Sequence, residues 1–277
     1  MGQRRAIALL LAVAPLILLT ACGTAGPNLS SDSRASTAPM KLAVGQGAAA
    51  PGGGSFLNAP IPTAVLNLPL FDSSGKRFTL ASLNGKSVVI ASFLTSCQEI
   101  CPMIAVDLRQ IGDLVAASPL NGKVAVMALS VDSRRDKVER LAAYAKIFND
   151  PNFIVASGLE SSLAPFWKFF GTSYSIVPYT PSQMKALPLD WQTGKMNTFD
   201  VSHTDEVLIV NSTGSWAWLD LGTPALSKAT IPEQLKKYLS VDGLNNLAKP
   251  QEPSWGVPAV LSALSAISGT KIEQPNN

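Results

Sequence analysis

Among 277 residues the chain has three cysteines and a single histidine, so the residues able to bind a soft metal or exchange a disulfide are few. Cys97 and Cys101 are separated by Gln98, Glu99 and Ile100 and followed by Pro102. Proline suits a first helical turn, where its missing N–H costs no hydrogen bond, so Cys101 is expected beside the positive end of a helix dipole. That position favours thiolate over thiol, the form needed both by a metal ligand and by a redox nucleophile. A structural disulfide across so short a loop constrains the unfolded chain only weakly, so the functional readings rank above it. Thioredoxin-type oxidoreductases place two residues between their cysteines and this chain places three. A pair so spaced can still exchange a disulfide, and it can also offer two thiolates to one soft ion such as copper(I), zinc or an iron-sulfur cluster. A four-ligand structural zinc site cannot be assembled from cysteine and histidine here. Copper(I) is satisfied by two thiolates, whereas copper(II) also wants nitrogen. One histidine also excludes an imidazole-rich metal site and any catalytic scheme that needs two.

These residues must be positioned by the surrounding elements. Val88–Phe93, just before the cysteines, is a short and mostly apolar run of the kind found in a strand covered on both faces. After them Ile104, Leu108, Ile111 and Val115 recur on one side of a helix. Val124–Val131 reads as a second buried strand, and Asp136 to Glu139 has the spacing of a capping box ahead of a helix carrying Val138, Leu141, Ala145 and Phe148. Phe153–Ala156 reads as a third strand, and Leu163, Phe166, Trp167 and Phe170 form a helical stripe better explained as core than as a cofactor platform. Residues 171–202 are irregular and carry Pro178, Pro181 and Pro188, so they form an excursion ahead of His203. Glu206–Asn211 and Trp216–Leu221 flank Ser212-Thr213-Gly214 as a hairpin, and a helix over about Pro232–Leu239 follows. Further upstream, Val65–Phe71 and Arg77–Leu80 flank the turn signal Asp72-Ser73-Ser74-Gly75 as another hairpin. This order predicts an α/β fold, a thioredoxin-like sandwich with an added N-terminal hairpin and an insertion before the histidine.

The composition bounds the function. A hydrophobic fraction of 47% can bury a substantial core. The net charge of +3 includes Arg4 and Arg5 of a cleavable leader, so the charge left is too balanced for an electrostatic grip on nucleic acid. Those arginines precede an apolar stretch, Ala6–Leu19, too short to span a bilayer comfortably and typical of a secretory signal over 1–21. The stretch closes on Leu19-Thr20-Ala21-Cys22, which resembles the lipobox of bacterial lipoproteins, where the chain is cut before the cysteine and Cys22 is lipidated. From Gly23 to Pro60 the chain holds seven glycines and many Ser, Thr and Asn, a composition with too little apolar area to offset its ordering entropy. Residues 22–60 are therefore expected to be a flexible tether, with the folded domain over 61–245 and a tail over 246–277. Within the tail, Val257–Ile267 is apolar enough to pack on something.

Four segments together resemble one known family. They are Phe71-Asp72-Ser73-Ser74-Gly75 with Leu80–Lys86; Phe93-Leu94-Thr95-Ser96-Cys97-Gln98-Glu99-Ile100-Cys101-Pro102; Leu129–Asp136; and Val201-Ser202-His203-Thr204 ahead of the Asn211–Gly214 turn. The chain is similar to the Sco/SenC proteins, thioredoxin-fold copper-binding proteins that assist assembly of the dinuclear copper centre of cytochrome c oxidase. The resemblance spans roughly residues 60–240 and implies Cys97, Cys101 and His203 as copper ligands, for copper(I) and copper(II). Glu99 stands where the family often has aspartate, Ser133 where proline is common and Thr204 where serine is common, and the segment before His203 is longer than usual. The Asp132–Asp136 stretch reads as a strand end and helix cap, not as a catalytic acid pair. The implied role is a membrane-tethered copper metallochaperone, lipid-anchored on the extracytoplasmic side of a bacterial membrane, with the copper-bearing oxidase subunit as partner. The alternative is a thiol-disulfide oxidoreductase in which Cys97 and Cys101 are the catalytic pair, acting on a copper-accepting or other extracytoplasmic protein. A peroxidase-like activity at Cys97 ranks third.

Overall fold

The structure, a computed structural model, describes residues 48–50, 52–226 and 231–273. The leader 1–21, Cys22 and the tether as far as residue 47 lie outside the described residues. In chain order the first strands are β1 (Ala48–Ala49), β2 (Ser55–Pro60), β3 (Leu70–Asp72), β4 (Arg77–Phe78), β5 (Ser87–Phe93), β6 (Val124–Ser130) and β7 (Ile154–Gly158). They continue with β8 (Tyr174–Pro178), β9 (Phe199–His203), β10 (Glu206–Val210), β11 (Ser215–Leu221), β12 (Thr223–Pro224) and β13 (Ser254–Trp255). The helices are α1 (Thr63–Leu66), α2 (Cys101–Ala116), α3 (Val138–Phe148), α4 (Glu160–Phe170), α5 (Pro181–Ala186), α6 (Glu233–Lys236), α7 (Val241–Ala248) and α8 (Val257–Ser268).

The main sheet runs β1-β2-β11-β10-β5-β6-β7-β3-β4. β5, β6 and β7 are parallel, and β10 lies antiparallel to β5 with Val207 opposite Ala91. All seven residues of β5 are buried, which explains why the run is apolar without alternation: both of its faces are covered. With α2 and α3 connecting the parallel strands and the β10–β11 hairpin closing the other side, this is the expected thioredoxin-like α/β sandwich. The aromatic stripe of α4 is core, with Phe166, Trp167 and Phe170 fully buried and the Phe170 ring edge-on to Trp216 of β11 at 5.3 Å.

Several boundaries differ from those read in the sequence. Val65 and Leu66 belong to α1, and only Leu70–Asp72 pairs with Arg77–Phe78, so the strand pair there is short. Ser55–Pro60, expected within the tether, is a strand hydrogen-bonded to β11. The glycines before it permit a close approach instead of supplying slack. Gly54 has φ +71°, and a Cβ there would stand 2.6 Å from the Leu219 carbonyl and 2.7 Å from the Trp218 ring. The expected boundary at 245 cuts through α7. Beyond it, Trp255 and the buried Val257, Val260, Leu261 and Leu264 of α8 join the main core, with α8 packed against α2. Composition showed this segment to be apolar, but only the tertiary contacts identify its partner.

The excursion before His203 is also ordered. β8 and β9 form an antiparallel ribbon in which Tyr174 lies opposite His203. α5 sits between them, started by a capping box at Thr180 and Gln183. Among the described residues no helix is long and apolar enough to cross a membrane.

Candidate thiol and metal site

Cys97 lies in the loop between β5 and α2, and Cys101 is the first residue of α2. Both are free thiols, Cys101 buried and Cys97 half-buried. The N–H groups of Ile100 and Cys101 point at Cys97 Sγ from 3.5 and 3.4 Å, while Leu94 N–H points at Cys101 Sγ from 3.4 Å. The free amides at the start of α2 therefore face Cys97, the residue outside the helix. The expectation that Cys101 is the favoured thiolate is corrected. Burial first, then the hydrogen bond and charge of Cys97, push the Cys101 thiol well above its ordinary value, against a smaller opposing effect of Leu94 N–H. A dipole argument based on position alone omits the cost of placing charge in the core.

His203 ends β9 and leads through Thr204 and Asp205 into β10. Because β10 runs antiparallel to β5, this turn lies at the same end of the sheet as the cysteine loop, and Ser92 Oγ donates to the Thr204 carbonyl at 3.0 Å. The imidazole side chain is only 5% exposed, with Nδ1 3.5 Å from Asp205 Oδ1. Nδ1 also lies 2.9 Å from the Thr204 carbonyl. A neutral ring donating from Nδ1 to that carbonyl carries its lone pair on Nε2, the nitrogen a metal would use. The structure thus brings Cys97 and Cys101 together as free thiols and sets His203 at the same end of the sheet. Among the described residues, however, no three His, Cys, Asp or Glu side chains converge as a ready-made metal group. Cys22 lies outside the described residues.

Acidic groups surround the pair. Burial, followed by the charges of Asp200, Asp242 and Asp205, pushes the Glu99 carboxyl up to about 7. Burial also raises Asp205, against the opposing effect of His203. Burial raises Glu206 to about 8, opposed by the hydrogen bond from Thr172 and assisted by the charge of Asp205.

A second set of residues was not found by the sequence reading. The start of α3 is not capped by Asp136: Lys137 is the cap residue and makes no side-chain cap bond. Asp136 is instead fully buried, accepting from Thr95 N–H at 3.1 Å, from Ser130 Oγ at 2.6 Å and from Thr95 Oγ1. Burial and the charge of Asp132 raise its carboxyl to about 6 despite those bonds. Arg140 donates through Nε to Thr95 Oγ1 and grips Asp190 with two nitrogens, at 2.6 and 3.1 Å. Burial alone would raise Asp190, but the bonds from Arg140 and Thr193 hold it at about 2. A sequence signal did exist: Arg140 precedes Tyr144 and Phe148 at helical spacing, which puts it on the buried face of α3. Nothing local, however, indicates a partner fifty residues away in an irregular segment.

A family model described as SCO1/SenC matches residues 66–240, more than half of the chain. A protein of Stutzerimonas stutzeri named as a candidate copper-binding protein is 24% identical over 162 residues, which cover 58% of this chain and 71% of that protein. Two copper-bound structures are also similar. ScoI of Bradyrhizobium japonicum is 23% identical with a TM-score of 0.44, covering 68% of this chain and 99% of its own. ScoI of Arabidopsis thaliana is 20% identical with a TM-score of 0.45, covering 61% and 94%.

Proposed function

This chain belongs to the SCO1/SenC family, and from that membership we propose that it is a copper metallochaperone that assists assembly of the dinuclear copper site of cytochrome c oxidase. The observation that carries the reading is the pairing of Cys97 and Cys101 as free thiols, with the chain's one histidine at the same end of the sheet. Two sulfurs that can both become thiolates suit copper(I) as cargo, and Nε2 of His203 adds the harder donor that copper(II) requires. Capture displaces the thiol protons, so apparent affinity falls as the pH is lowered. The three side chains do not converge in the described residues, so in this reading His203 closes on the sulfurs as the ion is captured and withdraws as it is released. In this reading Cys22 carries the lipid that tethers the protein to the extracytoplasmic face of a bacterial membrane, and the copper-bearing oxidase subunit receives the metal.

One observation favours the thiol-disulfide oxidoreductase reading: the two sulfurs are unequal, Cys97 half-buried beneath two N–H donors and Cys101 fully buried. An accessible sulfur backed by a concealed one suits attack followed by resolution. Titration of His203→Ala with both copper states separates the two readings. A chaperone whose third ligand is His203 keeps copper(I) binding and a reducible Cys97–Cys101 pair. It loses the thiolate-to-copper(II) absorption band and fails to support oxidase assembly as the sole copy. Unchanged copper(II) binding with full oxidase activity defeats the ligand assignment and puts the reductase reading first.

A further inference from the structure

Every residue next to Cys97 in its loop is held by another part of the chain. Trp191 Nε1 donates to the Thr95 carbonyl at 2.7 Å, and Gln98 Nε2 donates to the Pro188 carbonyl at 2.7 Å. On the other side Tyr238 OH donates to the Ser96 carbonyl at 2.8 Å while accepting from Asn197 Nδ2 at 3.2 Å. Ser240 N–H donates to the Gln98 carbonyl at 2.9 Å. Two of the contacts to the loop, those of Trp191 and Pro188, come from the segment between β8 and β9, which also supports Tyr238 through Asn197, and that segment is held down at a buried point. The Arg140 guanidinium grips Asp190 with two nitrogens, lies 5.1 Å from the centroid of the Trp191 ring, and bonds Thr95 through Nε. The Trp191 ring is in turn packed edge-on to Tyr144 of α3 at 5.6 Å. One side chain of α3 therefore reaches both the cysteine loop and the segment that covers it.

We propose that Arg140 is a positioning residue for Cys97: by tying residues 188–192 onto Thr95 and Gln98 it holds the cysteine loop in its dithiol arrangement and sets how readily Cys97 and Cys101 form a disulfide. Cys101 is fixed in a buried helix, so the shortening to a sulfur–sulfur bond of about 2.05 Å falls on the Cys97 loop. Each contact at Thr95, Ser96 and Gln98 resists that movement. In oxidation by oxidised dithiothreitol, the two thiols give up two electrons and two protons as the disulfide forms, and the reagent takes them up to become a dithiol. Loosening the clasp removes a restraint present in the dithiol form and shifts the equilibrium toward the disulfide. The proposal rests on Cys97 and Cys101 being the working site, but it is tested without copper and so stands or falls apart from the role of His203.

The experiment equilibrates the protein against oxidised and reduced dithiothreitol and measures the fraction of disulfide for the parent, Arg140→Ala, Arg140→Lys and Trp191→Phe. Trp191→Phe keeps the packed ring and removes one hydrogen bond, so it remains informative if Arg140→Ala fails to fold. Val210→Ala serves as the control, because Val210 is buried opposite Val88, at the far end of β5 from the cysteines. We expect Arg140→Ala to favour the disulfide by about tenfold, which is a potential more negative by ~30 mV. Trp191→Phe should shift by about threefold in the same direction. Arg140→Lys should be intermediate, since a lysine cannot make the two-pronged bond. Equilibrium constants for Arg140→Ala and Trp191→Phe that stay at the parent value, that move the other way, or that Val210→Ala reproduces would overturn the proposal.

Discussion

Glu206→Gln tests whether the acid behind the His203 turn is carried in its neutral form. Glu206 opens β10 and is 1% exposed; Thr172 Oγ1 donates to Oε1, while Oε2 has no hydrogen-bond partner among the described residues. Burial and the adjacent Asp205 charge raise the carboxyl to about 8 from the ordinary 4.5. The folded chain thus holds this proton more tightly than the unfolded chain does. Its contribution to stability is complete below the unfolded value and is lost as the pH rises through the folded one. A gap of roughly three pH units at ~1.4 kcal/mol each sets an upper bound of about 4–5 kcal/mol. Relaxation of the turn and entry of water should reduce this to ~2–3 kcal/mol. Glutamine keeps the size and accepts the Thr172 bond without titrating. Urea unfolding of both proteins at pH 5, 7 and 9 is the assay. The two should agree within ~1 kcal/mol at pH 5, and the variant should be the more stable by ~2–3 kcal/mol at pH 9. Parallel stability–pH profiles, or a variant that loses ground as the pH rises, would refute the argument that Glu206 is folded as a neutral acid.

Gly54→Ala should cost about 2–4 kcal/mol, because a Cβ at φ +71° meets the Leu219 carbonyl and the Trp218 ring. Gly122→Ala, at φ +74° with nothing within 4 Å, should cost only the backbone share of ~1 kcal/mol. Thermal melts compare the two directly, and equal losses would mean that β2 is not packed as described. For attachment, Cys22→Ser should move the protein from the membrane fraction to the soluble fraction or leave its leader uncut. Mass spectrometry of the parent's N-terminus would defeat the lipid-anchor reading by finding a soluble, unacylated chain beginning elsewhere.

The sequence alone determined the parts of this protein that depend on local patterns. An unbroken apolar run identifies β5 because a doubly covered strand has no polar face, and the periodicity of Ile104, Leu108 and Ile111 identifies α2 because a helix buries one stripe. A cysteine pair before Pro102 and a solitary His203 are legible for the same reason: the chemistry resides in residue type and spacing. What depends on distant contacts became visible only in the tertiary structure. Ser55–Pro60 resembles linker by composition, yet becomes a strand because β11 offers it hydrogen bonds and Trp218 leaves room only for glycine at position 54. The apolar stretch of α8 could have packed on any surface, and it is α2 that receives it. Asp136 has the spacing of a helix cap, but the fold brings Thr95 and Ser130 to it and makes it a buried acceptor. The unequal burial of Cys97 and Cys101 and the grip of Arg140 on Asp190 have the same origin. The energy of a charge depends on the solvent it has lost and the partner it has gained, and both are set by residues far away along the chain.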